Sequence, residues 1–518
     1  MHIKIATKLL LISTLYAMLA MPVFAEIDIK NIQQLLNIAA SEKERDIDKG
    51  RWITRFFDLR DQFSQRNQQN SDRLPNMLIS ENTHGIDATY STTGFIDLTN
   101  PFFQSLGNNG RSCVTCHVPS EGWTITPKGV QKLFDETDGF DPLFRLVDGA
   151  NSPLENVATV DERRNAYSML LNKGNIRTGI GIPDDAEFEL IEIDDPYGYA
   201  NEEELSLYRR PLPTTNLKFL NAIMWEGRDT TLDDSSSDCI FGTQTCFAPV
   251  SADLAVQANH ATLGHAEALE ELTAEEQAAI VAFETSIYTA QVIDKKAGDL
   301  TANKAKGGPI ILEKVEYYFG INDTVDGDYR SGESFNPIAM TLYEAWERHE
   351  PAGRRRTGAD LARAAIARGE DLFNAKPILI SGVSGLNDEL GIPEISGSCT
   401  TCHNIPNAGN HSVPLPLDIG ISDASRRTPD MPLYTLRNIV TGEEIETTDP
   451  GRALITGKWK DIGRFKGPVL RSVASRPPYF HDGSAADLHE VVEFYNTRFS
   501  INLTDQEKSD LVAFLGAL

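Results

Sequence analysis

Two five-residue stretches carry the clearest chemistry in the chain: Cys113-Val114-Thr115-Cys116-His117 and Cys399-Thr400-Thr401-Cys402-His403. In such a pattern the two thiols add across the vinyl groups of haem, and the adjacent imidazole reaches the iron as its proximal ligand. A pair of disulfides or of zinc knuckles is the competing reading. It weakens when the pattern occurs twice in a chain that leaves the cytosol. The four cysteines therefore predict two covalently bound haems c. Two cysteines remain, Cys239 and Cys246, with Ile-Phe-Gly-Thr-Gln-Thr between them. In an oxidising compartment they predict a local disulfide, and no His, Asp or Glu follows at zinc-ligand spacing.

Export is read from the first 25 residues. Lys4 and Lys8 precede an apolar run from Leu9 to Met21, and Val23-Phe24-Ala25 suits a signal peptidase. Residues 1–25 thus read as a secretory signal cleaved after Ala25, and the mature protein as periplasmic. An uncleaved anchor is the alternative. No later segment reaches the roughly 18 apolar residues of a membrane span, so none is expected after cleavage. The formal charge of −27 becomes −29 when Lys4 and Lys8 leave. So acidic a chain is not expected to bind nucleic acid or an anionic membrane through electrostatics, and it suits a basic partner or a small neutral substrate. Acidity that serves only solubility accounts for the charge equally well.

The elements that must position the two motifs repeat. Leu272-Thr-Ala-Glu-Glu276-Gln-Ala-Ala-Ile-Val281-Ala-Phe283 aligns with Leu503-Thr-Asp-Gln-Glu507-Lys-Ser-Asp-Leu-Val512-Ala-Phe514, identical at six of twelve positions. In each, Thr followed three residues later by Glu predicts a capping box and the start of a helix. Upstream, Trp225-Glu-Gly-Arg-Asp-Thr-Thr-Leu232 matches His481-Asp-Gly-Ser-Ala-Ala-Asp-Leu488 in its acid-Gly turn and its Leu. The order is the same in both halves, which reads as a duplicated haem domain. Residues 100–295 form the first copy, 358–518 the second, and 296–357 a connecting segment. Before them, 26–99 reads as an N-terminal extension. Helical periodicity runs over Lys30–Asn67 (Ile32, Leu35, Leu36, Ile38, then Trp52, Phe56, Phe57, Leu59), and a polar loop over Ser71–Gln104. The fold class expected is mainly α, with two cytochrome c-type haem domains in tandem, long loops and an N-terminal helical extension.

Three further segments, Thr448-Asp-Pro-Gly-Arg-Ala453, Gly463-Arg-Phe-Lys-Gly-Pro-Val-Leu-Arg471 and Pro478-Tyr-Phe-His-Asp-Gly483, resemble the second half of the bacterial dihaem cytochrome c peroxidases and of MauG, their relative. Pro213-Thr-Thr-Asn216 and Met224-Trp-Glu-Gly-Arg228 resemble the first half. The likeness runs from about residue 100 to the C-terminus. It implies a reactive N-terminal haem on His117 and a six-coordinate, electron-transferring haem on His403. It also implies that Trp225 relays electrons between them; an aromatic core residue beside a turn is the plainer reading.

Tyr495 lies fourteen residues past His481, where the peroxidases place a Met ligand and MauG a Tyr. The resemblance makes Tyr495 the sixth ligand of the second haem, with Met431 as runner-up and His481 as a structural or haem-edge residue. A phenolate favours ferric iron. Gln257 and Glu267 match in spacing the family's distal Gln and its catalytic Glu, a carboxylate that would move a proton between peroxide oxygens. The chain departs from the family at His260 and His265, with Ala261 in place of Pro. Either His would be a distal base or a sixth ligand; surface histidines before a helix are the plainer reading. The family's inhibitory loop His, sixteen residues after His117, is Leu133 here. Arg210 and Arg476 occupy two positions of the family's calcium site, leaving only the Pro478 carbonyl as a matching calcium ligand.

The first reading is thus a peroxidase-like oxidoreductase acting on hydrogen peroxide, with electrons from a donor protein or an oxidisable substrate. An electron-transfer cytochrome with both irons closed is a second. Oxidation of a protein or polymer, as by MauG or the rubber oxygenase, is a third.

Overall fold

A computed structural model describes residues 72–347 and 357–518. The signal sequence and the helices read over Lys30–Asn67 lie outside the described residues. The stretch read as polar loop is instead largely strand. Arg73–Pro75 pairs with Phe95–Asp97, and Leu78–Glu81 with Gly85–Ser91. The cause is a distant partner: Gly85–Ser91 lies along Ile287–Asp294, about two hundred residues on, and completes a four-stranded antiparallel sheet. Helix makes up 31% and strand 18% of the molecule, so the fold is mixed rather than mainly α.

Both repeated helices form where the capping boxes place them, over Ala274–Ser286 and Asp505–Leu515, with Thr273 and Thr504 as their caps. The second crosses the Gly358–Ala375 helix. Gly369 makes that approach close, since a Cβ there would lie 2.1 Å from the Asp510 carbonyl oxygen. In the first half a 3-10 turn, Pro101–Phe103, stands where the second has its long helix. Phe102 packs on Phe283 with ring centroids 4.9 Å apart, as Phe373 packs on Phe514 at 5.5 Å.

The halves are interwoven. Phe188–Asp194, in the long excursion after the first C-x-x-C-H, pairs with Leu433–Asn438, which also pairs with Glu444–Thr447. Tyr434 then donates from its hydroxyl to the Ser206 carbonyl at 2.8 Å and accepts from the Ser206 amide at 2.9 Å. In the connecting segment, Leu312 and Ile321 share a core with Phe219 and Tyr288 on one side and Ile405 and Val469 on the other. Cys239 and Cys246 are disulfide-bonded across a two-residue ribbon.

The seam is sealed by charge. Arg209 is 3% exposed and binds both carboxylate oxygens of Asp449, at 2.7 and 2.9 Å, while its third nitrogen meets Glu226 at 2.8 Å. Removing one member of a buried pair leaves the other charge without compensation, at a cost of about 3–5 kcal/mol. Asp449→Asn should lower the midpoint of thermal unfolding by several degrees without altering any surface charge. An unchanged melting curve would show that the pair contributes nothing net.

Candidate functional site

Both C-x-x-C-H motifs sit on the same local structure. Ser112 and Ser398 precede a 3-10 turn, and each donates its amide to the hydroxyl of the Thr three residues on, at 3.0 Å in both copies. The amides of His117 and His403 bond back to Cys113 and Cys399 at 3.0 and 3.1 Å. Six residues past each His the chain enters the left-handed region, at Gly409 (φ 79°) and at Trp123 (φ 62°). That turn aims a carbonyl at the imidazole: Nδ1 of His117 lies 3.2 Å from the Trp123 oxygen, and Nδ1 of His403 lies 2.8 Å from the Gly409 oxygen. A carbonyl at Nδ1 holds the proton there and leaves Nε2 free to bind a metal.

A left-handed Trp is costly, and the N-terminal sheet holds it. The Trp123 indole donates to the Thr89 hydroxyl at 2.8 Å, within the core. Sequence reasoning missed this support, although the six-residue spacing shared by Trp123 and Gly409 was available. Burial, opposed by the Trp123 carbonyl and helped by nearby His265, lowers the His117 pKa to about 4. Burial also lowers that of His403 to about 4. Both imidazoles are therefore neutral at pH 7.

The first motif opens on a cavity. Cys113, Cys116 and His117 line it together with Trp225, Gln257 and His265. The two thiols are unpaired. Lys466 lines the cavity too, its pKa lowered to about 8 chiefly by burial, and Arg228 with it. Adjacent thiols, an imidazole held at Nδ1, mostly apolar walls and cations for two carboxylates fit a covalently attached haem.

Trp225 donates its indole N–H to the Arg210 carbonyl at 2.8 Å, and the Arg210 amide donates to the His481 carbonyl at 2.6 Å. His481 is fully buried, stacked on Phe465 at 4.2 Å and edge-on to Trp225 at 6.3 Å. One hydrogen-bonded path thus runs from Trp225 to the second half.

Glu267 is placed differently from its spacing match. It is exposed, does not line the cavity, and accepts from Asn109 at 2.9 Å. His260 is also outside the lining, on the surface, paired with Asp229 at 2.9 Å. Leu133 packs half-buried against the Phe134 and Leu171 core. A carboxylate that sequence reasoning did not single out, Glu284, does line the cavity, and its Oε2 is buried without a partner among the described residues.

Tyr495 is half-buried on the Leu488–Arg498 helix. Burial raises the phenol's pKa, and the Cys402 and Cys399 thiols raise it further. Phe494 and Phe499 surround it, at 5.3 and 6.3 Å. Met431 packs elsewhere, with Met169 and Tyr208.

The calcium positions are filled by a cation of the chain itself. The buried Arg210 guanidinium donates to the carbonyls of Ile125, Lys173 and Arg476, at 2.7, 2.9 and 3.4 Å. These residues do not fit a calcium ion.

No protein-family profile matches the chain. It is 35% identical over 136 residues to the cytochrome-c peroxidase IdrP1 of Denitromonas iodatirespirans, covering 23% of this chain and 36% of that one. It is 33% identical over 135 residues to the cytochrome c551 peroxidase of Nitrosomonas europaea, covering 25% and 34%. The matches thus span about a third of the length of these curated relatives. Among solved structures, a MauG-like protein associated with microbial copper homeostasis aligns over 81% of this chain and 86% of its own, at 16% identity and a TM-score of 0.34. That superposition is too loose to argue from. Among the described residues no helix is long and apolar enough to cross a membrane.

Desolvation raises the Glu284 carboxyl from 4.5 to about 8. A carboxyl whose folded pKa is raised binds its proton more tightly folded than unfolded. Its contribution is complete below about 4.5 and is lost as pH rises through 8. Relative to Glu284→Gln, the parent should therefore lose stability between pH 5 and 8, by up to about 1.4 kcal/mol per pH unit. Parallel melting temperatures for the two across that range would contradict the assignment.

Proposed function

We infer that this relative of the bacterial cytochrome c peroxidases is an exported oxidoreductase with two haems c, which reduces hydrogen peroxide, or uses it, at the His117 cavity. The observation that carries the reading is that one cavity gathers the first C-x-x-C-H, a polar face of Gln257 and His265, and Trp225. Haem, when bound there, supplies an iron that binds peroxide and exchanges electrons with it.

The chain's own residues do the rest. Trp123 holds the His117 ring at Nδ1, and Nε2 would be the atom that binds the iron. Gln257 offers an amide to a bound oxygen, and His265 offers a ring nitrogen. Trp225 stands where electrons from the second half would pass, through Arg210 and His481. Tyr495 would close the second haem, which would then serve transfer rather than chemistry. Reduction of one peroxide to two waters takes two protons and two electrons, and the electrons come from a redox protein or another oxidisable substrate. With Leu133 in place of a loop His, the His117 side needs no prior opening by reduction. The compartment is the periplasm, where haem c is attached and Cys239–Cys246 is oxidised.

The purified protein should weigh two haems more than its mature chain. Cys116→Ser and Cys402→Ser should each weaken or remove one attachment, with the remaining haem unaffected. Intact-mass spectrometry that finds one haem or none in the parent would contradict the reading.

A further inference from the structure

His265 is the last link of a chain of buried contacts. Its Nδ1 lies 2.5 Å from Oδ2 of Asp148, a residue 4% exposed and 117 positions away. Asp148 is held in turn by Arg111, 2% exposed, whose Nη1 lies 2.7 Å from Oδ2 and 2.6 Å from Oδ1. Arg111 is fixed by donating to the Pro142 carbonyl at 2.8 Å and the Leu143 carbonyl at 2.7 Å. The same guanidinium reaches the His265 carbonyl at 3.1 Å, and Asn109 donates to that carbonyl at 2.9 Å. Side chain and main chain of His265 are thus both gripped, by residues just before the first C-x-x-C-H and by one in the excursion after it.

Several observations point the same way. Burial works against charge on Asp148, yet His265 and Arg111 hold its carboxyl below the usual range, so it is an anion. An anion accepts, which places a proton on Nδ1; in the neutral imidazole Nε2 is then the acceptor. His265 lines the cavity that Cys113, Cys116 and His117 also line. Glu267, two residues on, has its carboxylate engaged by Asn109 and does not line it.

We propose that the acid–base of this site is His265, oriented by Asp148 as its positioning residue, and that the Glu267 carboxylate does not fill that role. The proposal rests on the reading of the cavity as the peroxide site. Nε2 takes the proton from one oxygen of hydrogen peroxide and returns it to the other, which leaves as water when the O–O bond breaks. The remaining oxygen takes up two protons and the donor's two electrons and leaves as the second water. The imidazole ends as it began, and the electrons are those of the overall peroxide reduction. Arg111 keeps Asp148 ionised and in register.

The test is stopped-flow mixing of the ferric holoprotein with hydrogen peroxide, across pH, alongside optical spectra. His265→Gln should slow the reaction roughly a hundredfold, and Asp148→Asn roughly 10- to 100-fold, as removing a carboxylate partner of histidine does at metal sites. Both deficits should shrink as pH rises towards the range where peroxide ionises unaided, and a merely structural role would leave them independent of pH. Asp148→Glu, which keeps an anion for Arg111, should recover part of the rate and guards against a folding defect in the Asn variant. The resting spectrum should be unchanged in all three. A resting spectrum that turns from closed to open iron in His265→Gln would make His265 a ligand and overturn the proposal. So would a hundredfold loss in Glu267→Gln with His265→Gln at the parent rate. A parent that does not react with peroxide at all overturns the cavity reading itself, and this proposal with it.

Discussion

The Arg209–Asp449 pair, closed by Glu226, is the interaction on which the arrangement of the two halves depends. Arg209 ends a strand in the first half's excursion, Asp449 belongs to the second half, and Glu226 follows Trp225 directly in sequence. Three charges with almost no access to water tolerate little displacement, because separating them exposes an uncompensated ion in a low-dielectric interior. The next residue, Arg210, carries the main-chain link between Trp225 and His481. A shift of the seam would therefore move the proposed relay and the wall of the first cavity together. The Arg210 guanidinium adds a second clasp at the same place, with three carbonyls from both halves converging on a cation that cannot dissociate.

The two copies of the motif share their local geometry and differ in what surrounds them. Each has the Ser-x-x-Thr turn, the carbonyl six residues on and the capped final helix. Beside the second, the Gly358–Ala375 helix brings Phe373 to 5.8 Å from His403. Around the first, a short turn replaces that helix, and the room left is lined by Gln257, His265 and Glu284.

Local features were legible in the sequence: the C-x-x-C-H motifs, the Thr–Glu caps, the Cys239–Cys246 bridge and a buried indole N–H that needed an acceptor. Each depends on residues a few positions apart. Gly85–Ser91 was read as loop because its partner strand is two hundred residues away, and short strands completed at such distance leave little trace in periodicity. The same limit hid Asp148 behind His265. Glu267 was chosen by its spacing from Gln257. Yet Glu267 itself takes a left-handed backbone conformation (φ 54°) just past the helix, and its carboxylate points to Asn109 instead of the cavity. Spacing alone does not fix direction once the helix has ended.

The central claim is that the His117 iron is open and the His403 iron closed by Tyr495. Electron paramagnetic resonance of the ferric holoprotein tests it most directly. The account predicts one high-spin and one low-spin signal of equal weight, with cyanide converting only the high-spin one and Tyr495→Phe altering only the low-spin one. Two low-spin signals, neither changed by cyanide, would contradict it.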